Sequence, residues 1–143
     1  MDLPAAASVL RKVHERDGYP RRWYDPAEDW LVTDDTVGAW VAVEDGAVVG
    51  HVLLEAADDG LHVGRLFTDP DRRGNGAADL LLDTVVAAAA ERGLPLSLEV
   101  DVHGVRAVGF YEKRGWTRIA TGEPHWFEPD GSRGQRHVYV APR

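Results

Sequence analysis

The sequence predicts an α+β fold: a mixed, mostly antiparallel sheet with a central β-loop-α-β unit. Three stretches carry that prediction. Residues 38–56, GAWVAVEDGAVVGHVLLEA, place two β-rich runs around Glu-Asp-Gly, a strong hairpin signal. Residues 68–76, TDPDRRGNG, form a glycine-rich loop that runs into a Leu/Val/Ala helix from about 77 to 92. The apolar run LPLSLEV follows that helix, so the strands on either side of it are expected to lie parallel, joined by a right-handed crossover.

Each element has its own local cause. Ala6, Val9, Leu10 and Val13 recur at helical spacing within residues 4–16, with Pro4 in the first turn and Gly18 as the stop. YPRRWYDPAEDWL, residues 19–31, is an aromatic, proline-broken connector with a short helix expected at 26–31. After the hairpin, ADDG makes a second turn and LHVGRLFT continues the meander as a third strand. The long helix is closed by Gly93, with Pro95 just beyond. GVRAVGFYEKRG predicts a further helix ended by Gly115. WTRIAT and RHVYVA read as the last strands, separated by the polar loop GEPHWFEPDGSRGQ. No repeat or linker interrupts the 143 residues, so one domain spanning 1–143 is expected, long enough to bury a core.

Composition narrows the function. The chain has no cysteine, which excludes disulfides, thiolate metal sites and a thiol nucleophile. A net charge of −8 argues against a nucleic-acid partner. No stretch approaches a membrane span and the N-terminal run lacks the pattern of a signal peptide, so a cytoplasmic protein is expected. The six histidines show no spacing of the H-E-x-x-H kind, and no metal is expected.

The glycine loop is the first candidate site. A helix N-terminus offers unpaired N–H groups and a positive dipole end, glycines let an anion come close, and Arg72 and Arg73 add charge. A Walker A loop needs Gly-Lys-Ser/Thr, which is absent. A dinucleotide-binding turn needs a small residue where Asp79 stands and a strand that opens the fold. Taken alone, the loop fits an anion grip or a solvated connector.

Its neighbours decide between them. The order of hairpin, third strand, RRGNGAA, helix, strand and AVGFYEKRGW resembles the GNAT superfamily of acyl-CoA-dependent N-acetyltransferases over about residues 38–121. The family's R/Q-x-x-G-x-G/A loop matches Arg73-Gly74-Asn75-Gly76-Ala77-Ala78, and FYEKRGW matches its second signature. The resemblance implies a GNAT-like sheet whose parallel strands splay apart, and a donor, acetyl-CoA, in the resulting cleft. Arg73, Gly74, Asn75, Gly76, Ala77 and Ala78, with Arg72 adjacent, would hold the pyrophosphate, and the main chain near Leu66, Phe67 and Thr68 the pantetheine arm. Gly104, with His103 beside it, stands where many members carry an asparagine that bonds this arm. Arg106 is expected to face solvent.

The same resemblance implies the chemistry. Tyr111 stands at the position of the family's general acid, which protonates the departing thiolate. His62 stands near the position of a glutamate base, and an imidazole suits that task at neutral pH. Strict strand alternation places His62 on the face of Leu66 and away from Arg65. His51 and Glu55 on the neighbouring strand are reserve bases. The acyl-CoA core would occupy about 60–115, with acceptor-side elements at about 1–37 and 122–136. There Trp23, Tyr24, Trp30, Trp126 and Phe127 would wall a pocket, and Asp34, Asp35, Glu123 or Glu128 would attract an ammonium. The expected partners are acetyl-CoA and a small or amino-acid-like amine, with sheet edges that leave room for a homodimer. Two rival readings remain: a catalytically silent acyl-CoA-binding regulatory or sensor domain, and an unrelated nucleotide-binding domain.

Overall fold

A computed structural model describes residues 3–20, 23–102, 104–122 and 135–142. Helix α1 (Leu3–Asp17) buries Ala6, Val9, Leu10 and Val13, the stripe that its spacing predicts. Helix α2 is one turn, Glu28–Leu31, shorter than the expected 26–31, and it buries Leu31. The meander is β1 (Thr36–Glu44), β2 (Ala47–Ala57) and β3 (Gly60–Thr68), each antiparallel to its neighbour. Helix α3 (Ala77–Arg92) follows, then β4 (Leu96–Asp101), α4 (Val105–Lys113), β5 (Thr117–Gly122) and β6 (Arg136–Val140).

The sheet order is β1-β2-β3-β4-β6-β5. The β3–β4 pair is parallel, and β6 inserts between β4 and β5, antiparallel to both. Burial explains the insertion. Tyr139 of β6 is fully buried and its hydroxyl donates to Glu112 Oε2 at 2.7 Å, whereas β5 is exposed along most of its length. The inner position therefore goes to the strand that carries the large core side chain.

Two apolar clusters flank the sheet. One gathers α3, α4 and the strands around Val52, Leu54, Val85 and Leu98. The other gathers α1 and α2 around Leu10, Leu31 and Phe67. Each fully buried leucine among them contributes about 1.5–3 kcal/mol. Adjacent Val48 and Val49 join different clusters, as alternation across a strand requires.

Strand β3 breaks that alternation. Its register with β2 runs Gly50–Thr68 and His51–Phe67, then resumes at Leu53–Gly64, so Val52 opposes both Arg65 and Leu66. This is a β-bulge, and Arg65 occupies it with φ 49°. The bulge corrects the expectation for His62. Leu66 packs with Leu61 and Val63 against the α3 cluster, while Arg65 turns to the side of His62. The bulge adds a residue, which shifts every later side chain to the opposite face. The parallel pairing with β4 also ends just before it, at Val63–Leu98.

Candidate functional site

A cleft of about 1690 Å³ opens where β3 and β4 part. Its walls come from the loop before α3, the second half of β3, β4, the start of α4 with Tyr111, and the segment after α1. Of the sequence-predicted donor residues, Leu66, Phe67, Thr68, Arg72, Arg73, Gly74, Gly76, Ala77, Ala78 and Gly104 line it. Asn75 is turned away, with its Nδ2 donating to Glu44 Oε1 at 3.3 Å.

The end of the cleft at α3 is built from main chain. Gly76 caps α3 with φ 85°, a left-handed conformation, and no side chain caps the helix. The first N–H groups of α3 are therefore open to a ligand. A Cβ on Gly74 or Gly76 would meet nothing within 4 Å, so the space above the loop is clear. Past Val63, no strand pairs with β3 on the β4 side among the described residues, which leaves main-chain groups facing the cleft. Phe67 packs its ring, 5% exposed, into the α1 cluster.

Carboxylates hold the loop's shape. Lys12 bridges Asp69 at 2.8 Å and Asp71 at 2.9 Å, and Asp71 also pairs with Arg16 at 2.8 Å. Asp69 Oδ1 accepts the Asp71 N–H at 2.9 Å and closes a short 3-10 turn, Pro70–Arg72. Arg73 pairs with Asp17, and Arg72 with Glu44 at 3.1 Å. The two arginines thus have carboxylate partners at the cleft edge. Asp79, in the first turn of α3, pairs with Arg114, which holds its carboxyl below the usual range and ties α3 to α4.

The end of the cleft at β2 and the first half of β3 is built from side chains. His62 Nδ1 lies 3.7 Å from Glu55 Oε1, and Arg65 Nη1 lies 3.9 Å from the same oxygen. Thr33 Oγ1 donates to Glu55 Oε2 at 2.6 Å. The neighbouring His62 ring, then the Thr33 hydrogen bond and the Arg65 charge, hold Glu55 below its ordinary pKa against partial burial. Arg65 donates Nε–H to the Trp30 carbonyl at 2.9 Å and lays its guanidinium 4.4 Å from the Trp30 ring centre. Tyr24 stacks on Trp30 at 5.4 Å and Tyr19 meets it edge-on at 5.8 Å.

Tyr111 enters the cleft from α4, packed edge-on against Phe110 and Trp116. It is 7% exposed, and burial, reinforced by Tyr19 nearby, pushes its hydroxyl well above the usual phenol range.

Several expected residues fall elsewhere. Trp23 is not a cleft wall: it packs between His14 and Arg11 on the α1 side. Asp35 lines the cleft and Asp34 does not, while Arg106, exposed to solvent as expected, also lines the cleft. His51, a reserve base, is 1% exposed in the core and away from the lining. His103, Glu123, Trp126, Phe127 and Glu128 lie outside the described residues. Tyr19, Thr33 and Arg65 join the site without a sequence signal. Thr33 and Glu55 are 22 positions apart, and their pairing exists through the β1–β2 register.

A mixed sheet with one parted parallel pair, and a cleft under an open helix terminus, define an acetyltransferase fold. The ribosomal-protein-S18-alanine N-acetyltransferase of Escherichia coli has it, superposing with a TM-score of 0.77 at 20% identity over 99% of this chain and 87% of that one. The acetyltransferase (GNAT) family profile matches residues 6–116, and the chain belongs to that family. The mycothiol acetyltransferase of Beutenbergia cavernae is 31% identical over 120 residues, 80% of this chain and 36% of that protein. The peptidyl-lysine N-acetyltransferase YjaB of Escherichia coli is 40% identical over 78 residues, 54% of this chain and 48% of that protein. The chain thus spans about a third to a half of the length of these curated relatives.

Proposed function

We propose that this chain works as a single N-acetyltransferase domain. It moves an acetyl group from acetyl-CoA to the primary amine of a small or amino-acid-like acceptor. The observation that carries the reading is the one cleft shared by the open α3 terminus, the unpaired half of β3, Tyr111 and the Glu55–His62 pair. The residues fit the donor. Clear space over Gly74 and Gly76 admits a pyrophosphate, and the α3 N–H groups are positioned to bind it. Bound acetyl-CoA supplies the activated acyl group and the thiolate that leaves.

The chain's own groups do the rest. His62, held by Glu55, takes the proton of the acceptor ammonium and frees the lone pair for attack. Main-chain N–H groups near Leu66–Thr68 stabilise negative charge as it develops on the acyl oxygen. Tyr111, kept protonated by burial, gives its proton to sulfur as the C–S bond breaks, and the second proton shed by the new amide nitrogen restores the Tyr111 hydroxyl. Asp35 and Glu55 give the acceptor end negative charge suited to an ammonium. Cleft arginines Arg72 and Arg73 support the donor's phosphates.

Thiol release from acetyl-CoA across a panel of amines, amino acids and peptides tests the reading. At least one amine should accelerate release, with sequential rather than ping-pong kinetics. Donor binding without transfer to any acceptor would instead fit a silent sensor, and no binding of any CoA thioester would remove both. His62→Ala should lower kcat about a hundredfold, the scale of general base catalysis, with acetyl-CoA binding unchanged; an unchanged rate would assign the base elsewhere.

A further inference from the structure

We propose that His51 is a positioning residue for the donor cleft: its Nδ1–H holds the Arg65 carbonyl and fixes the bulge that parts β3 from β4. The link to acetyl-CoA rests on the function proposed above; the link to the bulge does not. His51 Nδ1 lies 2.9 Å from the Arg65 oxygen, and its ring stacks on Phe67 with centroids 5.3 Å apart. A carbonyl only accepts, so Nδ1 carries the proton and Nε2 is the bare nitrogen. Nε2 is buried and has no hydrogen-bond partner among the described residues. Phenylalanine would fill this space without that uncompensated acceptor, so shape alone does not account for a histidine here. The compensation lies at Nδ1.

What Nδ1 holds is a strained turn of backbone. Arg65 adopts φ 49°, where bulges of this kind usually place glycine. The Arg65 side chain is secured by the Trp30 carbonyl and ring, and its main chain by His51. The bulge bends β3 as the pairing with β4 ends at Val63, and brings the main chain of residues 66–68 to the cleft. His51 thus acts on the donor site without touching it.

Two variants separate the hydrogen bond from the ring. His51→Asn places an amide N–H where Nδ1–H stands and loses the stacking; His51→Phe keeps the ring and loses the donor. With the proposal, His51→Phe raises the acetyl-CoA Kd and KM about tenfold, the scale of one lost hydrogen bond, and lowers kcat less. Amide exchange should quicken at 64–68 and not at 61–63, while His51→Asn stays within about twofold of wild type in each. The reverse ranking, with His51→Phe intact and His51→Asn impaired, would overturn it. Should neither variant fold, nitrogen-15 NMR of the wild-type imidazole decides: a proton on Nδ1 supports the proposal and a proton on Nε2 refutes it. A wild-type chain that binds no CoA thioester would sink the functional reading, and exchange and NMR would still test the bulge.

Discussion

The two ends of the cleft are made by different means. The donor end is main chain: an α3 terminus opened by Gly76, a loop cleared by Gly74, and the unpaired half of β3. The acceptor end is side chain: Glu55, His62, Arg65, Tyr19 and Trp30, drawn from four separate segments. Main-chain recognition depends on conformation and hence on a short contiguous pattern. Side-chain recognition depends on which distant positions the sheet register brings together. One end can therefore stay constant while the side chains at the other change.

Substitutions on each side should therefore fail differently. Tyr111→Phe, where the two ends meet, should lower kcat about a hundredfold with little change in acetyl-CoA KM, the scale of general acid catalysis. Steady-state rates with the best acceptor check this, and an unchanged kcat would place the acid elsewhere. Gly76→Val forces a β-branched residue to φ 85° and should raise acetyl-CoA KM about tenfold while acceptor KM holds. Equal effects on both substrates would erase the division between the ends.

Glu55→Gln sharpens the acceptor side through pH. Glu55 sits below its ordinary value of 4.5 in the fold, so its stabilisation is present above that pH and lost as pH falls through the folded value. Thermal melts should show the variant less stable than wild type at pH 7, with the gap closing only as the pH falls below 4.5. His51 adds a limb at higher pH. Burial lowers its pKa from 6.5, so its contribution is whole above 6.5 and declines as pH falls below it. The smallest effect is expected for Arg73→Ala. Its partner Asp17 offsets its charge and both are partly exposed, so acetyl-CoA KM should rise only about threefold, with a shallower salt dependence.

Legibility in the sequence followed the same division. Helix α3 begins and ends where expected, at Ala77 and Arg92, because its cap glycines and apolar spacing are local signals. The meander, the parallel pair and the donor loop were readable for the same reason. The bulge was not: glycine marks such a position, and here Arg65 occupies it under contacts from His51 and Trp30. Period-two alternation therefore assigned Arg65 to the wrong side of His62. Trp23 misled as well, since an aromatic residue in a connector packs equally well against α1 or a pocket.

By itself the sequence determined the α+β class, the order and approximate positions of the elements and the glycine loop, because dihedral preference and hydrophobic period act over a few residues. Tertiary structure alone decided that β6 lies inside β5, that a bulge at Arg65 marks where β3 parts from β4, and that Thr33, Glu55, His62 and Arg65 converge. Those outcomes depend on which strands bury the large side chains and on the register they then adopt. Thr33 and Glu55, 22 positions apart, become neighbours by that register, and no local pattern encodes it.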